Sequence, residues 1–452
     1  MGKLFGTDGV RGIANEELTP ELAFRLGRCG AAVLAEGRGG ARVVVGRDTR
    51  VSGDMLEAAL VAGICSVGGR ALKVGIMPTP AVAWLTRTLG ADAGVVISAS
   101  HNPVADNGIK FFSSTGFKLP DSLEEEIERL VLKERDDLPR PTGTAVGRVE
   151  VVQAAKQYIT HVCSTAPQGL RGLKVVLDVA HGAAYAVAPE VFQRLGAEVF
   201  VLNNAPDGTN INVGCGSTCP QALAEAVREF RAHVGLAFDG DADRVIAVDA
   251  EGQVVDGDAI MAILALHFHQ QGRLPGGRVV VTVMSNYGLH QVLTGAGLVV
   301  HQTQVGDRYV LEEMLRTGAA LGGEQSGHII LLEHNTTGDG LITGVQLLQV
   351  MVARGATLRE LAEVLPRLPQ VLVNVPVEDK ERAMNDPQLL AEIAAAREQL
   401  ANRGRVLVRP SGTEPLLRLM AEGPDEEELR AILERLEQSV RRLGSKEVMT
   451  GD

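Results

Sequence analysis

At 452 residues the chain is too long for a single hydrophobic core and is expected to divide into three or four domains. Hydrophobic residues make up 45% and charged residues 22%, which excludes a disordered or fibrous chain, while 52 glycines against 3% aromatics point to many tight loops. The net charge of −12 speaks against non-specific nucleic-acid binding, so an anionic ligand has to be held by local sites.

Short β-branched runs alternate with helical patterns, the pattern of mixed or parallel sheets with crossover helices. "ARVVVGRD" (41–48), "RALKVG" (70–75) and "AGVVIS" (93–98) read as strands, with a helix between the first two that Ser52 is expected to cap. "DSLEEEIERLVLKE" reads as an amphipathic helix with Ser122 and Glu125 as a capping box, followed by a proline- and glycine-punctuated linker near residue 145. A second unit repeats the order with strands at 173–180 and 197–203 and the run "HVGLAFDGDADRVIAVD". A third begins at about "DGDAIMAILALHFHQQG", with strands "RVVVTVM" and "LVVHQTQV", and ends near the prolines of "LPRLPQ" (365–370). The last segment, with "QVLVNVPV" and "GRVLVRPSGTEPLLRLMAEG" and a long terminal helix, reads as a small α+β domain. The expected boundaries are 1–147, 148–252, 253–368 and 369–452, and no repeat of fixed period accompanies them.

Cys29, Cys65, Cys163, Cys215 and Cys219 are odd in number and scattered, which fits reduced thiols. Cys215 and Cys219 are close, but without a second ligand pair they read as free thiols rather than zinc ligands. The opening "MGKLFGTDGVRG" has no apolar signal core and no run is long enough to span a bilayer, so a soluble, cytoplasmic protein without a membrane partner is expected.

Four loops, one in each unit, join an apolar run to a polar, glycine-containing segment, where open α/β sheets place ligands. "FDGDADR" sets Asp239, Asp241 and Asp243 at alternate positions. Three converging carboxylates repel one another unless a hard cation holds them, and oxygen-only ligation favours Mg²⁺. A calcium EF-hand is excluded, since Arg244 and Ala250 stand where its glycine and glutamate belong. A solvated acidic turn and a phosphatase with Asp239 as nucleophile and Asp241 as acid are the alternatives. "SASHNP" offers a hydroxyl beside His101 as nucleophile or phosphate carrier, or an ordinary N-cap turn, and spacing does not choose between Ser98 and Ser100. "GGEQSGH" (322–328) suits a polyhydroxylated ligand, because a carboxylate accepts from two adjacent hydroxyls. "RPSGTEP" (409–415) offers a phosphate grip without a lysine. No Walker A or dinucleotide-binding glycine pattern is present. Together the loops hold the parts of a phosphoryl transfer on a phosphosugar.

"GTDGVRG", "SASHNPVADNGIKFF", "DGDADR", "GEQSGH" and "RPSGTEP" resemble, in order, the motifs of the α-D-phosphohexomutase superfamily over essentially the whole chain. The resemblance implies four domains around a central cleft, three similar mixed/parallel α/β domains and a last one of TATA-binding-protein-like topology. It selects Ser100 as the phosphoserine and as a Mg²⁺ ligand beside Asp239, Asp241 and Asp243. It places Arg244, Glu324 and Ser326 against the sugar phosphate, and Arg409, Ser411, Gly412 and Thr413 in the phosphate-binding loop. Arg11, His101, Lys110 and His328 match active-site positions for charge stabilisation or proton transfer. "FGTDGVRG", "VGDRYV", "TTGDG" and the "NRGRVLVRPSGTEP" tail point to the amino-sugar members. The implied reaction interconverts glucosamine 6-phosphate and glucosamine 1-phosphate through glucosamine 1,6-bisphosphate, towards UDP-N-acetylglucosamine. A priming kinase and a monomer or homodimer fit the resemblance, and mannose or glucose phosphates are the alternative substrates. A sugar-phosphate sensor is the non-catalytic alternative, although binding alone requires neither a carrier serine nor a carboxylate cage. Ala242 stands where many members have glycine, and a negative φ is expected there.

Overall fold

The computed structural model describes residues 4–6, 8–35, 40–411 and 414–445. The chain groups into two compact units, one of residues 1–284 with 296–364 and the other of residues 285–295 with 365–452.

The first unit holds three mixed sheets. In the first, β1 (Val10–Ile13), β2 (Arg42–Arg47), β3 (Arg70–Ile76), β4 (Ala93–Ile97), β5 (Asp106–Ser113) and β6 (Arg148–Val151) lie in the order β1-β5-β4-β2-β3-β6. Only β5 runs against its neighbours β1 and β4. Val43, Val45, Val95 and Ile97 share a core with Leu26, Leu56 and Leu60 of two covering helices, which is why these strands read as unbroken apolar runs. The helix Pro20–Leu34 begins where Thr19 accepts the Leu22 N–H at 3.2 Å and Pro20 occupies the first turn.

The second sheet has the order β11-β10-β9-β7-β8, with β7 (Lys174–Asp178), β8 (Glu198–Leu202), β9 (Val234–Phe238), β10 (Val245–Asp249) and β11 (Val254–Val255). The third, ordered β13-β12-β14-β15, contains β12 (Arg278–Thr282), β13 (Val299–Thr303), β14 (Leu321–Gly323) and β15 (Ile329–Leu331).

The second unit carries an antiparallel sheet, β16-β18-β17, made from β16 (Gln370–Pro376), β17 (Arg405–Pro410) and β18 (Leu416–Glu422). Its core joins Leu417 and Leu419 to Leu389, Leu400, Leu429 and Ile432, and each fully buried leucine contributes about 1.5–3 kcal/mol. Among the described residues no helix is long and apolar enough to cross a membrane.

The four chemistry-bearing loops share one topological position. Each is the reversal between a strand and the antiparallel strand that follows it: β4 to β5, β9 to β10, β14 to β15 and β17 to β18. The repeat therefore lives in the topology, since the loops have unrelated sequences.

Several local expectations are corrected. The boundary at residue 148 cuts off β6, which pairs in parallel with β3 and completes the first sheet. By its contacts the segment 285–295, with its helix Tyr287–Gly295, groups with the second unit, and the Tyr287 N–H donates to the buried Glu422 at 3.0 Å. Ser52 is the first residue of its helix and not the cap, because its hydroxyl accepts from Asn107 at 2.9 Å. Ser122 and Glu125 form no capping box: the helix starts at Asp121 directly after Pro120, which places both inside the first turns.

Candidate active site

The serine turn and the aspartate loop meet in the first unit. Ser100 Oγ donates to Asp239 Oδ2 at 2.5 Å and lies 3.3 Å from His101 Nδ1, and Ser100 is 1% exposed. Ser98 faces away, its hydroxyl donating to Asp48 at 2.7 Å, so geometry separates two serines that spacing leaves equivalent.

Asp239, Asp241 and Asp243 are all buried, each with a carboxylate oxygen within 4.8 Å of those of the other two. The turn depends on Ala242, whose φ is +56° against the expected negative value. The left-handed backbone costs alanine roughly 1–2 kcal/mol. It is held by the Ala242 N–H to the Asp239 carbonyl at 3.1 Å and by the Gly340 N–H to the Ala242 carbonyl at 3.0 Å.

Burial, and then the neighbouring carboxylates Asp243 and Asp241, push the Asp239 carboxyl well above the usual range; burial and Asp241 push Asp243 up as well. Burial acts the same way on Asp241 but is outweighed by Lys110 and Thr79, which hold its carboxyl below the usual range. Asp241 Oδ1 and Asp243 Oδ1 are buried without a hydrogen-bond partner. Three converging oxygens with two orphaned acceptors fit a hard divalent cation such as Mg²⁺.

Lys110 Nζ lies 2.9 Å from both Asp241 and Asp8, and 3.8 Å from Asp243. Burial lowers its pKa, yet these three carboxylates raise it overall, so the ammonium is retained. Asp8 also binds Lys118 at 2.7 Å and pairs with Arg11, and Lys118 reaches Asp307 at 2.5 Å. Sequence reasoning missed Asp8, Lys118 and Asp307 as site residues, although Asp8 and Asp307 sit inside the quoted "GTDGVRG" and "VGDRYV". Gly9, at φ +79°, lets the opening turn lie against β5, where a Cβ would stand 2.4 Å from the Ile109 carbonyl oxygen. Thr79 was missed too: it donates to Asp241 from its hydroxyl at 2.6 Å and from its backbone N–H at 2.9 Å, and only its place before Pro80 at a helix start signals it.

A cleft of about 370 Å³ opens beside these groups, lined by Asp8, Arg11, His101, Arg244, Asp307, Glu324 and His328 among others. Burial, with Arg244 and Arg11 nearby, pushes the His101 imidazole down to about 4, so the ring is neutral at pH 7. Glu324 is held by the Gly306 N–H at 3.0 Å, whereas the Gln325 side chain turns to Asp256 at 3.3 Å. Ser326 stands exposed on the same turn. In the second unit Arg409 lies on β17, and Ser411 is buried and accepts the Glu414 N–H at 3.3 Å; Gly412 and Thr413 lie outside the described residues. Lys380 Nζ, from outside that segment, donates to the Ser411 carbonyl at 2.8 Å.

His328 is 2% exposed, 3.9 Å from Asp243 and 3.7 Å from Asp307. Gly338 of "TTGDG" packs on its ring, and a Cβ there would lie 2.5 Å from Nε2 and 2.6 Å from Cδ2. Gly338→Ala is therefore expected to displace the imidazole and to destabilise the protein by about 1–3 kcal/mol. Thermal unfolding together with kcat checks it, and a variant matching wild type in both shows that the ring is free to give way.

The chain matches the phosphoglucomutase/phosphomannomutase alpha/beta/alpha domain I over residues 2–137, domain II over 156–252, domain III over 256–368 and the C-terminal domain over 372–439. It is 75% identical over 434 residues to a phosphoglucosamine mutase of Moorella thermoacetica, covering 96% of this chain and 98% of that one. A phosphoglucosamine mutase of Heliobacterium modesticaldum is 60% identical over 459 residues, covering 98% and 100%. Among solved structures, a phosphoglucomutase/phosphomannomutase family protein from Burkholderia thailandensis superposes with a TM-score of 0.82 at 27% identity, over 96% of this chain and 97% of that one. With its serine turn and carboxylate triad set at matching strand reversals, the chain belongs to the phosphoglucosamine mutase family of the phosphohexomutase superfamily.

Proposed function

We infer that the protein interconverts glucosamine 6-phosphate and glucosamine 1-phosphate in the cytoplasm, with Ser100 as the phosphoryl carrier. The observation that carries this reading is Ser100 Oγ, 2.5 Å from the buried aspartate triad in a chain 75% identical to a phosphoglucosamine mutase. Phosphorylated Ser100 gives its phosphoryl group to the sugar 1-hydroxyl: the O1–P bond forms as the Ser100 Oγ–P bond breaks, leaving glucosamine 1,6-bisphosphate. The bisphosphate turns over, and the 6-phosphoryl group returns to Ser100. The neutral His101, 3.3 Å from Ser100 Oγ, takes and returns the hydroxyl proton. Lys110 and Arg11 stand beside the transferring group as fixed positive charges.

Asp239, Asp241, Asp243 and a phosphoserine oxygen would hold Mg²⁺, whose chemistry is to neutralise charge on the transferring phosphoryl group. Arg244, Glu324, Ser326 and His328 address the sugar phosphate, and Arg409, Ser411, Gly412 and Thr413 the phosphate that is not reacting. Free bisphosphate or a priming kinase loads Ser100.

The substrate preference is testable. Glucosamine presents an ammonium where glucose has a hydroxyl, so a carboxylate must meet it. A site built around a charged hydrogen bond discriminates by roughly 1.5–3 kcal/mol. Side-by-side kinetics with phosphorylated enzyme are expected to give a higher kcat/KM on glucosamine phosphate than on glucose or mannose phosphate, and Glu324→Gln is expected to lose activity on all three. Equal or better efficiency on glucose phosphate would make the protein a general phosphohexomutase.

A further inference from the structure

Beneath the serine turn lies an ion pair that the chemistry above leaves unused. Arg50 and Asp48 are both 0% exposed, and Arg50 Nε donates to Asp48 Oδ2 at 2.9 Å. In such surroundings the loss of hydration offsets most of the attraction, so stability alone is a poor reason for the pair. Apart from the Arg50 backbone N–H, which donates to Asp48 Oδ1 at 2.9 Å, the remaining hydrogen bonds of the two side chains go to one turn. The guanidinium donates to the carbonyls of Pro103 at 2.5 Å, Asn102 at 2.8 Å and Ser100 at 3.0 Å. Asp48 holds the other edge through Ser98, whose hydroxyl donates to Asp48 at 2.7 Å and accepts the Ser100 N–H at 3.0 Å. Asn212, from the second α/β region, donates to the Ser100 carbonyl at 2.9 Å and to that of Asn102 at 3.3 Å. Ser100 itself has φ +52°, a left-handed backbone that a residue with a Cβ keeps only when its surroundings enforce it.

We propose that Arg50, backed by Asp48 and Ser98, is a positioning residue for the carrier serine, clamping the left-handed turn so that Ser100 Oγ faces Asp239. A carrier has to present one oxygen at one point twice per turnover, once to give the phosphoryl group and once to receive it. A rigid planar fork suits this task better than a flexible ammonium, because it fixes three carbonyls relative to one another. The inference rests on the reading of Ser100 as the carrier.

Arg50→Lys keeps the charge and removes the fork. Since a displacement of about 1 Å costs about 10²-fold in rate, kcat is expected to fall by that order while KM for the sugar phosphate stays unchanged. Single-turnover transfer from the phosphorylated enzyme, counted per phosphoserine, is expected to slow by the same factor. Asn212→Ala removes the second donor to the Ser100 and Asn102 carbonyls without leaving a buried charge unpaired, and a smaller fall in kcat at constant KM is expected. If the pair only stabilises the fold, Arg50→Lys lowers the melting temperature while each folded, phosphorylated molecule transfers at the wild-type rate. That result overturns the proposal. Should Arg50→Lys not fold, wild-type kcat in Asn212→Ala overturns it instead. Wild-type protein that turns over without phosphate on Ser100 overturns the carrier reading itself, and is told apart from both by phosphosite mapping of the parent enzyme.

Discussion

Ser100→Ala is expected to abolish turnover, by roughly 10⁴-fold, while leaving the fold intact. The substitution removes the oxygen proposed to carry the phosphoryl group, and the neighbouring Ser98 does not replace it, since its hydroxyl is committed to Asp48. Its cost to stability is small: one hydrogen bond to Asp239 is lost, worth roughly 1 kcal/mol, and no apolar cavity opens. Alanine accepts the φ of +52° no worse than serine does. Intact-protein mass is expected to show the loss of one phosphoryl group, with circular dichroism and the melting temperature near those of wild type. Ser98→Ala is expected to retain phosphate on Ser100 and to lower kcat far less than Ser100→Ala, since it loosens the turn through the Ser100 N–H without removing the Ser100 hydroxyl. Wild-type-like mutase activity in Ser100→Ala would remove the carrier assignment.

Asp239→Asn is expected to lower kcat by about 10²-fold, or about 2.7 kcal/mol of barrier, with partial rescue by excess Mg²⁺. One of the three carboxylates that could hold a cation becomes a neutral amide. The same change is expected to raise the melting temperature of the metal-free protein. Burial and two like charges raise the Asp239 pKa in the folded state, so its ionisation opposes folding, and the penalty develops as pH rises through and above the ordinary carboxylate range. At neutral pH the amide removes that penalty. Below the ordinary carboxylate range both forms are neutral and the gain disappears. Wild type is expected to gain stability on adding Mg²⁺, as any ligand selective for the native state requires, and Asp239→Asn to gain much less. Calorimetry with and without Mg²⁺, at neutral and acidic pH, reads all of this. An unchanged metal response in the variant would mean that the aspartates form an ordinary acidic turn.

What the chain itself determined is local and periodic. Strands buried on both faces, such as Ala93–Ile97 and Val234–Phe238, need continuous apolar runs, and those runs are visible in the order of residues. Polar loops at the ends of such runs mark where ligands can approach, and the alternation of Asp239, Asp241 and Asp243 suits a cation, with a solvated acidic turn and a phosphatase left open by the sequence. The choice of Ser100 over Ser98 came only with the family motif, and the hydrogen bond from Ser98 to Asp48 is consistent with it.

Tertiary structure alone decided the groups around them. Thr79 reaches Asp241 across 162 positions and Lys118 reaches Asp307 across 189, so no window along the chain contains both partners. β6 joins the first sheet because β3 offers it a free edge, although all four of its residues are exposed, so its short polar–apolar alternation marks no buried face. Ala242 adopts a positive φ because a hydrogen bond from Gly340, far along the chain, holds its carbonyl. Propensity describes what a residue prefers when its neighbours are local. At this site the decisive neighbours come from other sheets, and their hydrogen bonds outweigh the roughly 1–2 kcal/mol that local preference supplies.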